Sequence, residues 1–164
     1  MSPYSEDDHS LDPASSVLKN VLGISDAAVL EQAEAALVAT RSYELSRKPL
    51  KGKFDLAHPR PIHRYLFQDI YAWAGRLRTI DISKGGNFFA LHAHLASTAG
   101  TIFKDIADEK HLAGLRPLDF SLRAAHYLGE LNALHPFREG NGRTQRELIK
   151  PSRSLERVLC RGKT

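Results

Sequence analysis

His135-Pro136-Phe137-Arg138-Glu139-Gly140-Asn141-Gly142-Arg143-Thr144-Gln145-Arg146 carries the densest chemistry in the chain. It begins where an apolar helical stripe ends. Pro136 disfavours helical backbone at His135 and removes an amide donor, so the chain leaves the helix there. Gly140 and Gly142 admit backbone angles and close approaches that side chains forbid. From Gly142 onward the residues suit a new helix. A glycine turn that opens a helix offers N–H groups and the positive end of the dipole, a seat for phosphate. Arg143 and Arg146, three apart, share one face and add charge-assisted donors for outer phosphates. Glu139 suits Mg²⁺, which takes one or two carboxylates together with phosphate oxygens. His135, with an ordinary pKa of ~6.5, suits the removal of a proton from an attacking hydroxyl. Singly, a His-Pro is a helix stop, Gly-Asn-Gly a turn and two arginines a solvated face. Their ordered combination within one short stretch favours the chemical reading.

Upstream, Phe120, Ala124, Tyr127, Leu131 and Leu134 alternate gaps of four and three, as one face of a helix requires. Leu95, Ala99, Ile102 and Ile106 do the same after Phe88-Phe89-Ala90. Between Leu77 and Ala90 the period changes, and two short extended runs flank Gly85-Gly86, which reads as a small hairpin. Such a hairpin is marginal alone and must lie on the helical body or on a ligand. Ile62, Leu66, Ile70 and Trp73 form a one-sided stripe read as a helix that ends at Gly75. Ser25 reads as an N-cap with Asp26 in the first turn of a helix to about Arg47, whose apolar positions are Val29, Ala33, Ala36, Leu37 and Tyr43. A short helical piece is expected around Ser15–Leu22. The fold expected is all-α: a single helical domain over 1–164 with one small β-hairpin flap.

The 164 residues, 42% hydrophobic and 26% charged, describe a soluble globular chain long enough for its own core. One cysteine, Cys160, excludes an internal disulfide framework and a Cys-rich zinc site. The acidic, polar MSPYSEDDHS has no secretory pattern, and no apolar run approaches the ~20 residues of a membrane helix. The net charge of +4 is scattered except for a basic run in Lys150–Lys163. Such ends are usually solvated, so nucleic acid is a minor hypothesis and no direct contact with it is expected. His92 and His94 read as a surface pair, His58 and His63 as structural groups in a loop, His126 as an ordinary helix residue, and Phe137 and Trp73 as core. Glu147 reads as a helix surface charge.

HPFREGNGRTQR resembles the signature of the Fic (filamentation induced by cAMP) family, HxFx(D/E)GNGRxxR, and matches every defined position. SVLKN at 16–20, HRYLFQDIYAWAGRLRTIDISKGG at His63–Gly86 and the helix before His135 resemble Fic proteins of the bacterial toxin type. The resemblance covers 16–147. It implies a mostly helical Fic fold and a nucleotidyltransferase, a protein adenylyltransferase that moves AMP from ATP to a Ser, Thr or Tyr hydroxyl and releases pyrophosphate. Carried over by position, His135 is the general base and Glu139 holds Mg²⁺. Gly140, Asn141 and Gly142 form the anion hole, with Arg143 and Arg146 on the β- and γ-phosphates. Ile82, Ser83, Lys84, Gly85, Gly86, Asn87 and Phe88 form the flap, which takes up the target segment as an added strand. Lys84 is equally an ordinary charge at a hairpin tip. Relatives called Doc are kinases with a bulkier residue where this chain has Gly142, so AMP transfer is the better match.

The resemblance stops near the end. The helix opening at Thr144 meets Pro151, and 151–164 diverges from the family, as a truncated or altered C-terminus or a distinct tail; marginal stability is expected. Fic proteins are often restrained by [S/T]xxxE[G/N]; Thr40…Glu44 and Ser152…Glu156 have the spacing but are followed by Leu45 and Arg157, and are read as accidental. A small antitoxin supplying the inhibitory helix in trans is then implied, as are a toxin role, a bacterial cytoplasmic location with delivery into another cell compatible, and protein targets that in related toxins are type II topoisomerase subunits. The rival expectation is a catalytically impaired Fic-fold interaction module held by an antitoxin.

Overall fold

A computed structural model describes residues 9–15, 17–50, 52 and 55–149. Ser16 and the divergent tail 151–164, with Cys160, most of the basic run and Ser152…Glu156, lie outside the described residues. The described part is mostly helical: α1 (Ala27–Arg47), α2 (Pro59–Phe67), α3 (Leu95–Asp108), α4 (Pro117–Leu134) and α5 (141–149). Between α2 and α3, β1 (Ser83–Lys84) and β2 (Asn87–Phe88) pair antiparallel, with Ser83 opposite Phe88. Each strand has two residues, far shorter than the extended runs the alternation suggested. Gly85 and Gly86 carry φ of 59° and 81°, the two left-handed positions of a type I′ turn.

α3 and α4 pack on each other, and every position of their two apolar stripes is buried. α4 opens on Pro117, with Asp119 in its first turn facing the Arg116 guanidinium at 2.7 Å.

α1 departs from expectation in two ways. Its N-cap is Asp26, whose carboxylate accepts the Val29 N–H at 2.9 Å, not Ser25. Its inner face is Leu30, Glu34, Val38 and Leu45, while Val29 and Tyr43 are 51% and 63% exposed. The inner face carries a carboxylate because its neighbours are arginine and tyrosine side chains, as described below.

No helix forms in the described part of 15–22. Leu11 bridges Leu18 antiparallel, Val21 N–H donates to Ile70 O at 2.8 Å, and the Asn20 side chain closes a loop on Leu18 O and Ile24. Val17 O, Lys19 N–H and Val21 N–H are bonded to partners outside the segment, which takes them from a helical ladder. α2 likewise ends at Phe67, before Ile70 and Trp73. Turn bonds Ile70 N–H to Phe67 O and Ala74 N–H to Tyr71 O continue the path, and Gly75, at φ 82°, turns the chain where a Cβ would lie 2.9 Å from Arg64 Cβ.

Candidate functional site

α4 ends at Leu134, and His135 caps it in the left-handed region at φ 45°, ψ 62°. A non-glycine residue there costs about 1–2 kcal/mol and persists only where its surroundings hold it. Three contacts hold it. His135 N–H donates to Leu131 O at 3.1 Å, its carbonyl accepts the Arg78 Nε–H at 2.7 Å, and its ring stacks on Phe89 at 3.8 Å. Its Nδ1 lies 3.1 Å from Asn132 O. A carbonyl only accepts, so Nδ1 carries the hydrogen and Nε2 is the basic nitrogen of the neutral ring. Burial pushes the His135 pKa below its ordinary value, against the pull of its bond to Asn132 O.

The turn that follows is shaped by two side chains beneath it. A Cβ on Gly140 would fall 2.3 Å from the Phe67 ring, so this backbone lies on an aromatic floor at φ 79°. Asn141 clasps the loop from within: its Oδ1 accepts Phe137 N–H at 2.8 Å and its Nδ2 donates to Phe137 O at 2.7 Å. One donor and the acceptor of its side chain thereby hold the turn in shape. The ladder of α5 starts with Thr144 N–H to Gly140 O at 3.1 Å, leaving the N–H groups of 141–143 at the helix opening. A Cβ on Gly142 would meet only Arg146 Nη1, at 3.4 Å, so a side chain there would fill the space before that guanidinium.

Glu139 is partly exposed; its Oε1 accepts Gly140 N–H at 2.8 Å and lies 3.4 Å from Arg143 Nη2. A partly exposed carboxylate beside a helix-opening glycine turn is of a kind that fits Mg²⁺ shared with phosphate oxygens. Among the described residues no cluster of three or more His, Cys, Asp or Glu is placed to hold a metal alone.

Arg143 lies over the Phe67 ring at 4.8 Å and pairs with the buried Glu34 of α1, which also accepts the Tyr71 hydroxyl. Arg146 is exposed and lines a 320 Å³ hollow between α1 and α5 with Val38, Ser42 and Glu147. Glu147 is buried and accepts from Ser42 across to α1, contrary to its reading as a surface charge. His63 lies in α2, not in a loop, and is fully buried under the turn. Gly75 N–H donates to its Nδ1 at 2.9 Å, so its Nε2–H donates to Glu139 O, also at 2.9 Å. Phe137 stacks on it at 4.1 Å, and burial holds its pKa down at about 4.

His135, Glu139, Asn141 and Gly142 share one cavity of 780 Å³ with Ile82, Ser83, Lys84, Gly85 and Phe88 of the hairpin. Arg143 opens on a neighbouring hollow, which Glu139 also lines, and Arg146 on the one toward α1. Gly86 follows Gly85 in the hairpin turn, and Asn87 opens β2 opposite Lys84. His63 is structural, as expected, though from a helix; Glu34 and Arg78, which also brace these groups, went unread in the sequence, and only their tertiary partners mark them. His92, paired with Asp81 at 2.9 Å, is exposed.

The Fic/DOC family pattern matches residues 53–150, and the chain belongs to that family. It is 52% identical over 138 residues to protein adenylyltransferase VbhT of Bartonella schoenbuchensis, covering 84% of this chain and 29% of VbhT. It is 40% identical over 135 residues to the probable protein adenylyltransferase Fic of Escherichia coli, covering 82% of this chain and 66% of that protein. Among solved structures, the Bartonella tribocorum effector BepC with bound AMPPNP aligns at TM-score 0.84 and 25% identity over 90% of this chain and 77% of that one. An N-terminal Fic domain from Bartonella quintana with bound ADP aligns at TM-score 0.82 and 28% identity, covering 87% and 74%. The chain thus spans under a third of VbhT and about two thirds of the E. coli relative. Among the described residues no helix is long and apolar enough to cross a membrane.

Proposed function

We propose that the chain is a protein adenylyltransferase that moves AMP from ATP to a hydroxyl of a target protein. The observation that carries this is the single cavity onto which a positioned imidazole, a carboxylate, a glycine turn and a two-stranded flap converge. The relatives' names and the nucleotides bound in the aligned structures support it.

In this reading the N–H groups of 141–143 and the two arginines seat the triphosphate, and Gly142 keeps the way to Arg146 open. Mg²⁺ on Glu139 would neutralise phosphate charge as it develops. The target segment lies along the flap and brings a Ser, Thr or Tyr hydroxyl to His135. Nε2 takes the hydroxyl proton as the oxygen bonds to the α-phosphorus, and the bond from that phosphorus to the bridging oxygen breaks, releasing pyrophosphate. Positioning and charge neutralisation supply most of the acceleration.

The role is read as that of a bacterial toxin restrained by a small antitoxin whose glutamate meets Arg146. In support, no carboxylate pairs with Arg146 among the described residues, and its hollow is open. Type II topoisomerase subunits are candidate targets by resemblance alone. The test is incubation of the full chain with Mg²⁺, ATP labelled at the α-phosphate and bacterial lysate. Label should pass to protein and should drop at least about 100-fold with His135→Ala. Transfer that survives the substitution removes His135 as the base, and no transfer by folded wild-type chain overturns the activity.

A further inference from the structure

Arg78 is the most heavily engaged polar side chain near the site, and the mechanism above does not use it. Its side chain is fully buried, and the nearest carboxylate, that of the half-exposed Asp81, stands 3.7 Å away. Burying a guanidinium beside one distant counter-ion is expensive unless its donors are satisfied. Here they are satisfied by main-chain carbonyls from two separate segments. Nε–H donates to His135 O at 2.7 Å and Nη2 to Leu134 O at 3.3 Å, both at the carbonyl end of α4. Nη1 donates to Ile80 O at 2.7 Å, and Nη2 also to Ala90 O, the residues that lead into and out of the flap. The Arg78 main chain adds its own N–H to Pro136 O at 3.0 Å.

Resting on the adenylyltransferase reading, we propose that Arg78 is a positioning residue that joins the flap to the general base, so that the target strand and the imidazole are set in one frame. The last carbonyls of a helix have no partners within it and carry its negative dipole end, so a cation is favoured there. Only a planar fork with five donors reaches carbonyls of both segments at once; a lysine ammonium is a point charge with three. Two further contacts run along the same seam: Ala90 N–H donates to Ala133 O at 2.9 Å, and Phe89 stacks on the His135 ring. The phosphate turn is held elsewhere, by Asn141, Phe67 and His63, and makes no bond to Arg78. Loss of Arg78 therefore misplaces the hydroxyl relative to the base while leaving the nucleotide seat intact.

The test compares wild type, Arg78→Lys and Arg78→Met as full chains. Apparent turnover is read by label transfer to lysate protein at saturating Mg²⁺-ATP, and nucleotide affinity by titration with a fluorescent ATP analogue. Both variants should lose about 100-fold in turnover, the cost of an ångström-scale misplacement, with analogue affinity within about twofold of wild type. Lysine should not rescue. Turnover of either variant within about threefold of wild type, or analogue affinity falling in step with turnover, overturns the proposal. Amide hydrogen exchange of the nucleotide-free chain gives a readout independent of activity: protection across 80–90 and 133–137 should fall together in Arg78→Lys, and a fall in one segment alone overturns the coupling. Should the methionine variant not melt cooperatively, the lysine variant decides. Should wild type transfer no label, the adenylyltransferase reading fails and the exchange measurement still judges the joint.

Discussion

Among the described residues α1 and α4 are the two longest helices, and they serve the site in opposite ways. α4 turns five buried side chains inward and ends in His135, so it is a beam whose tip carries the proposed base. α1 turns Glu34 inward to Arg143 and Tyr71, and Ser42 inward to Glu147, so it is a polar wall against α5. The apolar beam supplies rigidity and the polar wall supplies orientation. Arg143, 29% exposed, is aimed by that wall and tolerated in partial burial because Glu34 pairs with it.

The sharpest break of the beam is Leu131→Ala. Leu131 is 3% exposed on the core face of α4, and its truncation should cost about 2–5 kcal/mol in urea unfolding. A loss under about 1 kcal/mol would show that α4 is not the structural half of the pair.

Acid should act next, through His63. Unfolded, this imidazole takes a proton below its ordinary pKa of 6.5, whereas folded it waits until about 4. Between those values the unfolded chain holds the extra proton, so stability falls as pH drops, by about 3 kcal/mol in all. In His63→Gln this slope should flatten, and an unchanged slope would remove the buried imidazole as its source.

The wall should break more gently. Glu34→Ala leaves the buried Tyr71 hydroxyl without its acceptor and Arg143 with only the longer contact to Glu139, at about 2–3 kcal/mol, while Tyr71→Phe removes one hydrogen bond at about 1 kcal/mol. A double-mutant cycle should return a coupling between them, and strict additivity would place them in separate networks. Catalysis should reflect the tip of the beam in its pH profile. Because burial lowers the His135 pKa, its acid limb should fall below the ordinary value of 6.5, and a limb above it would contradict the neutral base. Least of all, Val29→Thr and Tyr43→Ser on the outer face of α1 should each change stability by under about 0.5 kcal/mol.

Those two positions also show where the sequence is legible. α3 and α4 bury only apolar side chains on their stripes, so hydrophobic period finds both. On α1 the buried face is interrupted by Glu34 and Ser42, and the same method selects Val29 and Tyr43 instead. The signature 135–146 is readable because its chemistry is contiguous in the chain. The partners of His63, read only as structural, and of Arg78 are not, because each is a carbonyl brought close by folding: Glu139 O for the first, His135 O for the second. Glu147 misleads for the same reason, since the hydroxyl that buries it belongs to α1.

Gly140 rests on the Phe67 ring, and the two rings of His63 and Phe137 stack beside it. A mould with so hard a base keeps its shape whether or not an anion lies in it. The entropy of arranging the N–H groups is spent once, when the chain folds, and under the proposed function each nucleotide that arrives is spared it. Softening the base, as Phe67→Ala would, makes every visitor bear that ordering again.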